Sequence, residues 1–584
     1  MNGLDLLILA ITVLSLAYAL YGCRLARLWG VDPARKTPAL EFEDGMEYVP
    51  SSPSVVFGHE FASIAGAGPI NGPIIAAMFG WLPVLLWLLL GAVFFGAVHD
   101  FAALYTSVRN GGKSIGYVIE LYVGKTGKKL FLIFVWFFSI LIAGAFADIV
   151  AGTFAGFAPQ GEGIRTNAQV ASASLFFAVA AVGLGFLIHR GKVSGLASGI
   201  IAVDLLILCI VLGLFLPIFL PGGIWLYLVF AYIFIASVVP VWVLGQPRNY
   251  LNSFLLIAMI LAAFIGVVFT RPEISIPPFA GFEVNGNYLF PVLFITIACG
   301  AISGFHSLVA TGSVSKQINN ERYMLPVSYG SMLLETLVAI LALIAVGFLA
   351  RDGVLPEGTP PVIFATAVSS FLHQLGLPSE VSFSIVSLAV SSFVLTTLDT
   401  VARLGRLSFQ ELFAGESGGA ESPPGGPDSA GAGPAGAARS PVRRISGTLR
   451  RIMGGKIASA FCTLLPAYLL AILGYRNIWA LFGAANQLLA ALTLLACTLF
   501  LKRNSRRVLM LALPTVIMLA VTYSSLVLTI KSKIGRIFSG SFSAGVDGLQ
   551  LVIALALLIL GILVGLSSAV KLLPQKKSPP RADG

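Results

Sequence analysis

Charge is what this sequence has least of. Only 11% of its 584 residues are Asp, Glu, Lys or Arg, against roughly 25% in soluble domains. The hydrophobic share is 57% and the mean hydropathy +0.92. That deficit excludes a water-soluble globular chain. Cysteine is scarce as well: Cys23, Cys209, Cys299, Cys462 and Cys497 form no CxxC pair, and each reads as a small buried hydrophobe. The five His include no two spaced four apart on one helix. No Walker motif occurs, which argues against ATP-driven pumping. No soluble domain or kinase pattern appears, which argues against a sensor. The formal charge of +11 is not a nucleic-acid signal, because Lys and Arg collect in short loops between apolar runs.

Those runs predict an all-α polytopic membrane protein with about 15 transmembrane helices, each long enough to cross some 30 Å of hydrocarbon. The first, Leu4–Tyr21, has Asp5 before its apolar body and Arg24 and Arg27 after it. A cleaved signal peptide has the opposite charge order, so we read a retained span with its N-terminus outside. The loops expected inside then carry most of the Lys and Arg, and the C-terminus is also inside; Lys531, Lys533 and Arg536 are the exceptions. Residues 362–375, flanked by prolines, read as an interfacial segment. Residues 415–441, rich in Gly, Pro, Ala and Ser, cannot bury enough apolar surface to order themselves and read as a cytoplasmic linker.

The segment FGHEFASIAGAGPINGP, from Phe57 to Pro73, is unusual for an apolar setting. Gly66, Gly68 and Pro69 weaken a helix. In lipid, non-helical backbone is tolerated only where protein or a water-filled cavity surrounds it, so this stretch predicts an unwound point facing a cavity. SVVPVWVLGQPRNYLN, from Ser237, holds Pro240, Gly245 and Pro247 and predicts a second break. Two interrupted helices an odd number of crossings apart fit a core of two inverted five-helix repeats. The boundaries expected are 1–56 for a peripheral span and loop and 57–402 for the core, with repeats 57–219 and 224–402. A cytoplasmic loop, 403–456, and C-terminal peripheral spans, 457–584, follow. Bared amides and polar side chains at Gly66, Ala67, Gly68, Pro69, Ile70, Asn71, Pro240, Trp242 and Gln246 would bind substrate. Gly and Pro are also common in ordinary transmembrane helices, so either break alone fits a packing kink.

Ionisable groups within spans are costly and mark function. They are His59, Glu60, His99, Asp100, Asp148, Asp204, His306, Glu335 and Asp399. His99, Asp100 and Asp399 fall near span ends and read as interfacial. The candidates for coupling to protons or sodium are His59, Glu60, Ser303, His306, Ser307 and Glu335. His306 stands on a small, polar face with Gly300, Ser303, Gly304, Ser307 and Thr311.

GHEFASIAGAGPINGP, PVWVLGQPRNYL, ITIACGAISGFHSLVATG, TTLDTVARLGRLSFQEL and IWALFGAANQLLAALTLL together closely resemble the carbon starvation protein A family. The resemblance covers most of the chain. It implies a bacterial or archaeal inner-membrane protein that takes up pyruvate or small peptides. It also implies the inverted-repeat fold, LeuT-like, of the amino acid–polyamine–organocation superfamily. Two positions depart from the family pattern, Glu60 in place of a second His and His99 in place of a Gln. The expected function is secondary active import of a small carboxylate, pyruvate, by cation symport with protons. A peptide transporter of the same fold is the alternative, and a membrane redox enzyme with a His-ligated metal a distant one. No cofactor, resident metal or nucleic-acid partner is expected. The partners are a small-molecule substrate, a coupling cation and the bilayer.

Overall fold

The computed structural model describes residues 2–572 apart from 46, 159–160, 162, 190–194, 241–242 and 414–453. The expected linker at 415–441 lies outside the described residues, as does Trp242. Among the described residues, ten helices are long and apolar enough to cross a membrane, or eleven when the pair Pro53–Ile64 and Gly68–Phe79, bent by 43°, is taken as one broken span. Three shorter apolar helices, Gly199–Phe215, Gly222–Val238 and Lys456–Ala471, accompany them. Pro360–Gln374 has 15 residues, about 22 Å at helical rise.

Contacts between chain segments sort the helix ends into two layers. In one layer the Gly3 amide donates to Pro272 O at 2.7 Å, Trp81 N to Pro277 O at 3.2 Å, Ala280 N to Phe79 O at 3.0 Å and Ser275 N to Gly347 O at 2.8 Å. In the other, Arg109 donates to Gly30 O and to Glu321, both at 2.8 Å, and Val49 N donates to Lys316 O at 3.1 Å. The chain therefore runs from the second layer to the first through Pro53–Phe79. It runs back from the first to the second between Leu289 and Gly312.

That second passage is the other broken span. It comprises Leu289–Thr296, Ala298–Ala301 and Gly304–Gly312, with Ile302 and Ser303 extended between the last two (φ −159° and −133°). The expectation of a break at Pro240 is corrected here. Gly222–Val238 ends before Pro240 and a new helix starts at Gly245, so the Pro and Gly there form a connection between two helices. Pro240 is exposed.

Matching directions follow along both halves. Lys125–Phe154 packs against Ser379–Phe413 and runs opposite to it. Near one end of the pair Lys128 meets Glu411 at 2.8 Å, and near the other Thr153 meets Thr359, just upstream of Pro360–Gln374, at 3.5 Å. Trp81–Arg109 and Glu321–Leu349 are likewise opposed, as are Gly245–Thr270 and Tyr475–Arg503. The core is thus two inverted five-helix repeats. The second opens at Leu289 rather than Ile224, and the first extends to Thr270 because the hairpin of Arg165–His189 and Gly195–Phe215 is inserted within it. The expected repeat limits of 57–219 and 224–402 are corrected accordingly.

Candidate functional site

The two broken spans meet at their breaks. Between Ile64 and Gly68 the backbone leaves the helix at Ala65 (ψ 49°). Glycine is required by close approach: a Cβ on Gly66 would lie 2.6 Å from Thr397 Oγ1, and one on Gly68 would overlap Cys299. Each break leaves a half-helix N-terminus deep in the protein, at Gly68 and at Gly304. First-turn amides of a helix have no intrahelical acceptor, and together with the aligned peptide dipoles they favour negative charge.

Asn486 supports the second break. Its side-chain oxygen accepts from the Phe305 amide at 3.1 Å, capping the Gly304–Gly312 helix from a neighbouring one. Its nitrogen donates to Ser303 Oγ at 3.1 Å and contacts Cys299 Sγ at 3.5 Å. A small cavity lies at the junction. Gly66, Gly68, Ser303, His306, Thr397 and Asn486 supply its polar and backbone lining, and Ile64, Ile142, Phe146, Phe305 and Phe482 its apolar walls.

A chain of titratable groups leads away from this cavity. His99 Nδ1 is 2.8 Å from Asp100 Oδ1. Asp100 Oδ2 is 2.8 Å from His306 Nδ1, and His306 Nε2 is 3.2 Å from Glu335 Oε2. That last contact is at ion-pair distance, with both groups buried. Glu60 is fully buried, neither of its oxygens has a hydrogen-bond partner among the described residues, and Asp100, His306 and Glu335 act on it electrostatically. Asp100 touches both imidazoles, so its two oxygens fix the ring orientations.

The expected residues divide as follows. Gly66, Gly68, Ser303 and His306 line the cavity. Glu335 lies 3.2 Å from His306, Glu60 is near enough to His306, Asp100 and Glu335 to feel their charge, and neither acid lines the cavity. Ala67 caps the Gly68 half-helix, and Pro69, Ile70 and Asn71 are buried within it; the Asn71 side-chain amide has no hydrogen-bond partner among the described residues. Ser307 bonds Gly304 O at 2.7 Å and meets Thr493 Oγ1 at 3.0 Å, a packing role. His59 is elsewhere, with Nε2 2.8 Å from Ser313 Oγ. Pro240 is exposed in the connection between Gly222–Val238 and Gly245–Thr270 and is not among the residues lining the cavity. Trp242, and the side chain of Gln246, lie outside the described residues.

Sequence reasoning missed Asp100, His99, Asn486 and Thr397. His99 and Asp100 were expected at an interface, yet both are fully buried. Asn486 and Gln487 are uncharged polar residues in an otherwise apolar span, a signal that a search restricted to ionisable groups passes over.

Comparison with known proteins fits this architecture. The family described as Carbon starvation protein CstA matches residues 2–356 and 351–525. "Peptide transporter CstA" of Bacillus subtilis (strain 168) is 32% identical over 611 residues, covering 99% of this chain and 98% of the relative. "Peptide transporter CstA" of Escherichia coli (strain K12) is 31% identical, covering 87% and 78%. "Pyruvate/proton symporter BtsT" of the same organism is 34% identical over 390 residues, covering 62% of this chain and 53% of the relative. The crystal structure of Eremococcus coleocola manganese transporter, in complex with an aromatic bis-isothiourea substituted compound, shares the fold. Its TM-score is 0.50 at 10% identity, over 90% of this chain and 97% of that one. The relatives are carriers rather than catalysts, which sets aside the redox-enzyme alternative. With its family matched along most of its length, this chain belongs to the carbon starvation protein CstA family of multi-pass membrane transporters.

Proposed function

We propose that this protein imports a small carboxylate, pyruvate in the first instance, by symport with protons. The observation that carries the reading is the buried cluster of Asp100, His306, Glu335 and Glu60 directly behind a cavity built on two half-helix N-termini. The half-helix ends supply amides and positive dipole ends suited to a carboxylate. The cluster supplies groups that gain and lose protons, and His306 belongs to both. Substrate occupancy is thereby coupled to protonation through one side chain. The two repeats would rock about this point, opening the cavity to one layer and then the other.

The layer holding Arg109, Lys316 and Arg322 faces the cytoplasm in this reading, following the positive-inside rule. Gly3 is then outside, the C-terminus inside, and the bilayer is the inner membrane. Lys533 and Arg536, two of the three misplaced cations, share Asp547 at 2.7 and 2.9 Å, and its single negative charge offsets one of them, which lessens the conflict with this orientation.

Peptide import is the second reading, favoured by the name of the Bacillus subtilis relative that spans nearly the same length. A dipeptide presents a carboxylate to the same amides and an ammonium that Glu60 or Glu335 would have to meet. Purified protein in proteoliposomes, given labelled pyruvate or labelled dipeptide under imposed proton or sodium gradients, separates the possibilities. Uptake of pyruvate driven by a pH gradient supports the primary reading. Uptake driven only by sodium, or of dipeptide alone, replaces it.

A further inference from the structure

Glu60 is a buried acid that the pairing of His306 with Asp100 and Glu335 leaves over. Its two oxygens have no hydrogen-bond partner among the described residues, and the groups acting on it are Asp100, His306 and Glu335. Among the described residues, the cations on the elements packed against Pro53–Ile64 are engaged elsewhere: Arg403 donates to Ala236 O and Val239 O, and Arg406 to Gln410. Arg248, on Gly245–Thr270, is engaged by Tyr232 and Asp399. Lys316 is held by Glu47 at 2.8 Å. His59 points to Ser313.

Charge counting then sets the proton content. Three carboxylates and two imidazoles occupy one buried volume: Glu60, His99, Asp100 and Glu335 are fully buried and His306 is 1% exposed. With every carboxylate ionised and only His306 protonated, the cluster carries two uncompensated negative charges. Each unpaired buried ion costs several kcal/mol, so about two further protons are needed to close the site. One sits on Glu335. Glu60, touching no donor, is the place for the other.

Building on the proton-symport reading, we propose that Glu60 is a second proton-carrying site, separate from the His306–Glu335 pair, and that each substrate crosses with two protons. On the closed cluster Glu60 is the acid, Glu60–COOH. When the site opens to the alkaline side, water replaces the missing hydrogen bonds, the O–H bond breaks and the proton leaves to bulk water as Glu60–COO⁻ forms. No other bond changes.

The test is accumulation of labelled pyruvate in proteoliposomes at a membrane potential clamped to zero, as a function of imposed pH difference. Each coupled proton multiplies the limiting accumulation ratio about tenfold per pH unit. Wild type is expected to show about a hundredfold per unit and Glu60→Gln about tenfold. A tenfold slope in wild type overturns the two-proton proposal while leaving proton symport intact, whereas no pH-driven accumulation at all overturns the symport reading itself. A hundredfold slope retained by Glu60→Gln removes the assignment to Glu60. Should Glu60→Gln lose net uptake, substrate counterflow at equal pH decides: exchange intact supports the carrier role, and exchange lost overturns it.

Discussion

His306 and Asp100, on helices from opposite repeats, meet at 2.8 Å with both side chains buried. The contact joins the second broken span to the helix that follows the first. Anything that changes charge on either residue therefore acts on both repeats. His306→Ala is expected to lower pH-gradient-driven uptake by about tenfold or more, at least ~1.4 kcal/mol of lost coupling, while the purified protein remains monodisperse. Asp100→Asn should do the same. Wild-type uptake by either variant would remove that residue from the coupling scheme.

Asn486 caps the Gly304 half-helix through the Phe305 amide. Loss of a cap costs about 1 kcal/mol, and a buried amide left without its acceptor adds about 1–3 kcal/mol. Asn486→Ala should therefore lower thermal stability and weaken substrate binding together. Scanning fluorimetry and a binding isotherm on the same sample check this; a stability loss with unaltered affinity would make Asn486 a packing residue only.

Gly66 has room for no side chain because Thr397 Oγ1 occupies the space. Gly66→Ala is expected to cost about 1–3 kcal/mol through overpacking and to impair uptake. Removing the obstruction with Thr397→Ala in the double variant should restore much of the stability. A double variant no more stable than Gly66→Ala alone would show that the break depends on something other than this contact.

Arg248 is buried at 2% exposure, 3.0 Å from Asp399, and its guanidinium lies 5.0 Å from the Tyr232 ring centroid. Truncating one partner of such a pair strands the other charge, at about 3–5 kcal/mol. Arg248→Met should thus destabilise strongly, and Arg248→Met with Asp399→Leu much less. Urea or thermal denaturation in detergent measures the difference; equal losses in both would mean the two charges are not coupled.

Asp547 binds Lys533 and Arg536 at the turn between Leu509–Phe538 and Val546–Leu572. Asp547 is buried and also accepts from the Ser543 amide at 3.0 Å, so Asp547→Asn is expected to cost about 1–3 kcal/mol and to leave uptake unchanged, since neither helix lines the cavity. An uptake defect would assign these peripheral helices a part in transport.

The first break was legible because Gly66, Gly68 and Pro69 combine two helix-weakening residue types inside an apolar run. The second was not. ACGAISGFHS holds no proline, and its glycines read equally as a close-packing face. The Pro and Gly at 240–247 gave a stronger signal at a place where the chain merely turns between helices. Residue types report that a helix ends; they do not report how deep in the membrane it ends.

The amino-acid sequence alone determined the membrane class and the presence of a broken span at Gly66–Pro69, and it placed His306 and Glu335 inside apolar spans. Each follows from local chemistry: apolar length, helix-weakening residues, and the cost of an ionisable group in lipid. Tertiary structure decided which break faces the first, that Asp100 lies inside, and that Asn486 and Thr397 come to the cavity. These depend on how helices far apart in the chain pack against one another, and hydrophobic periodicity records only that a face is buried, never against what.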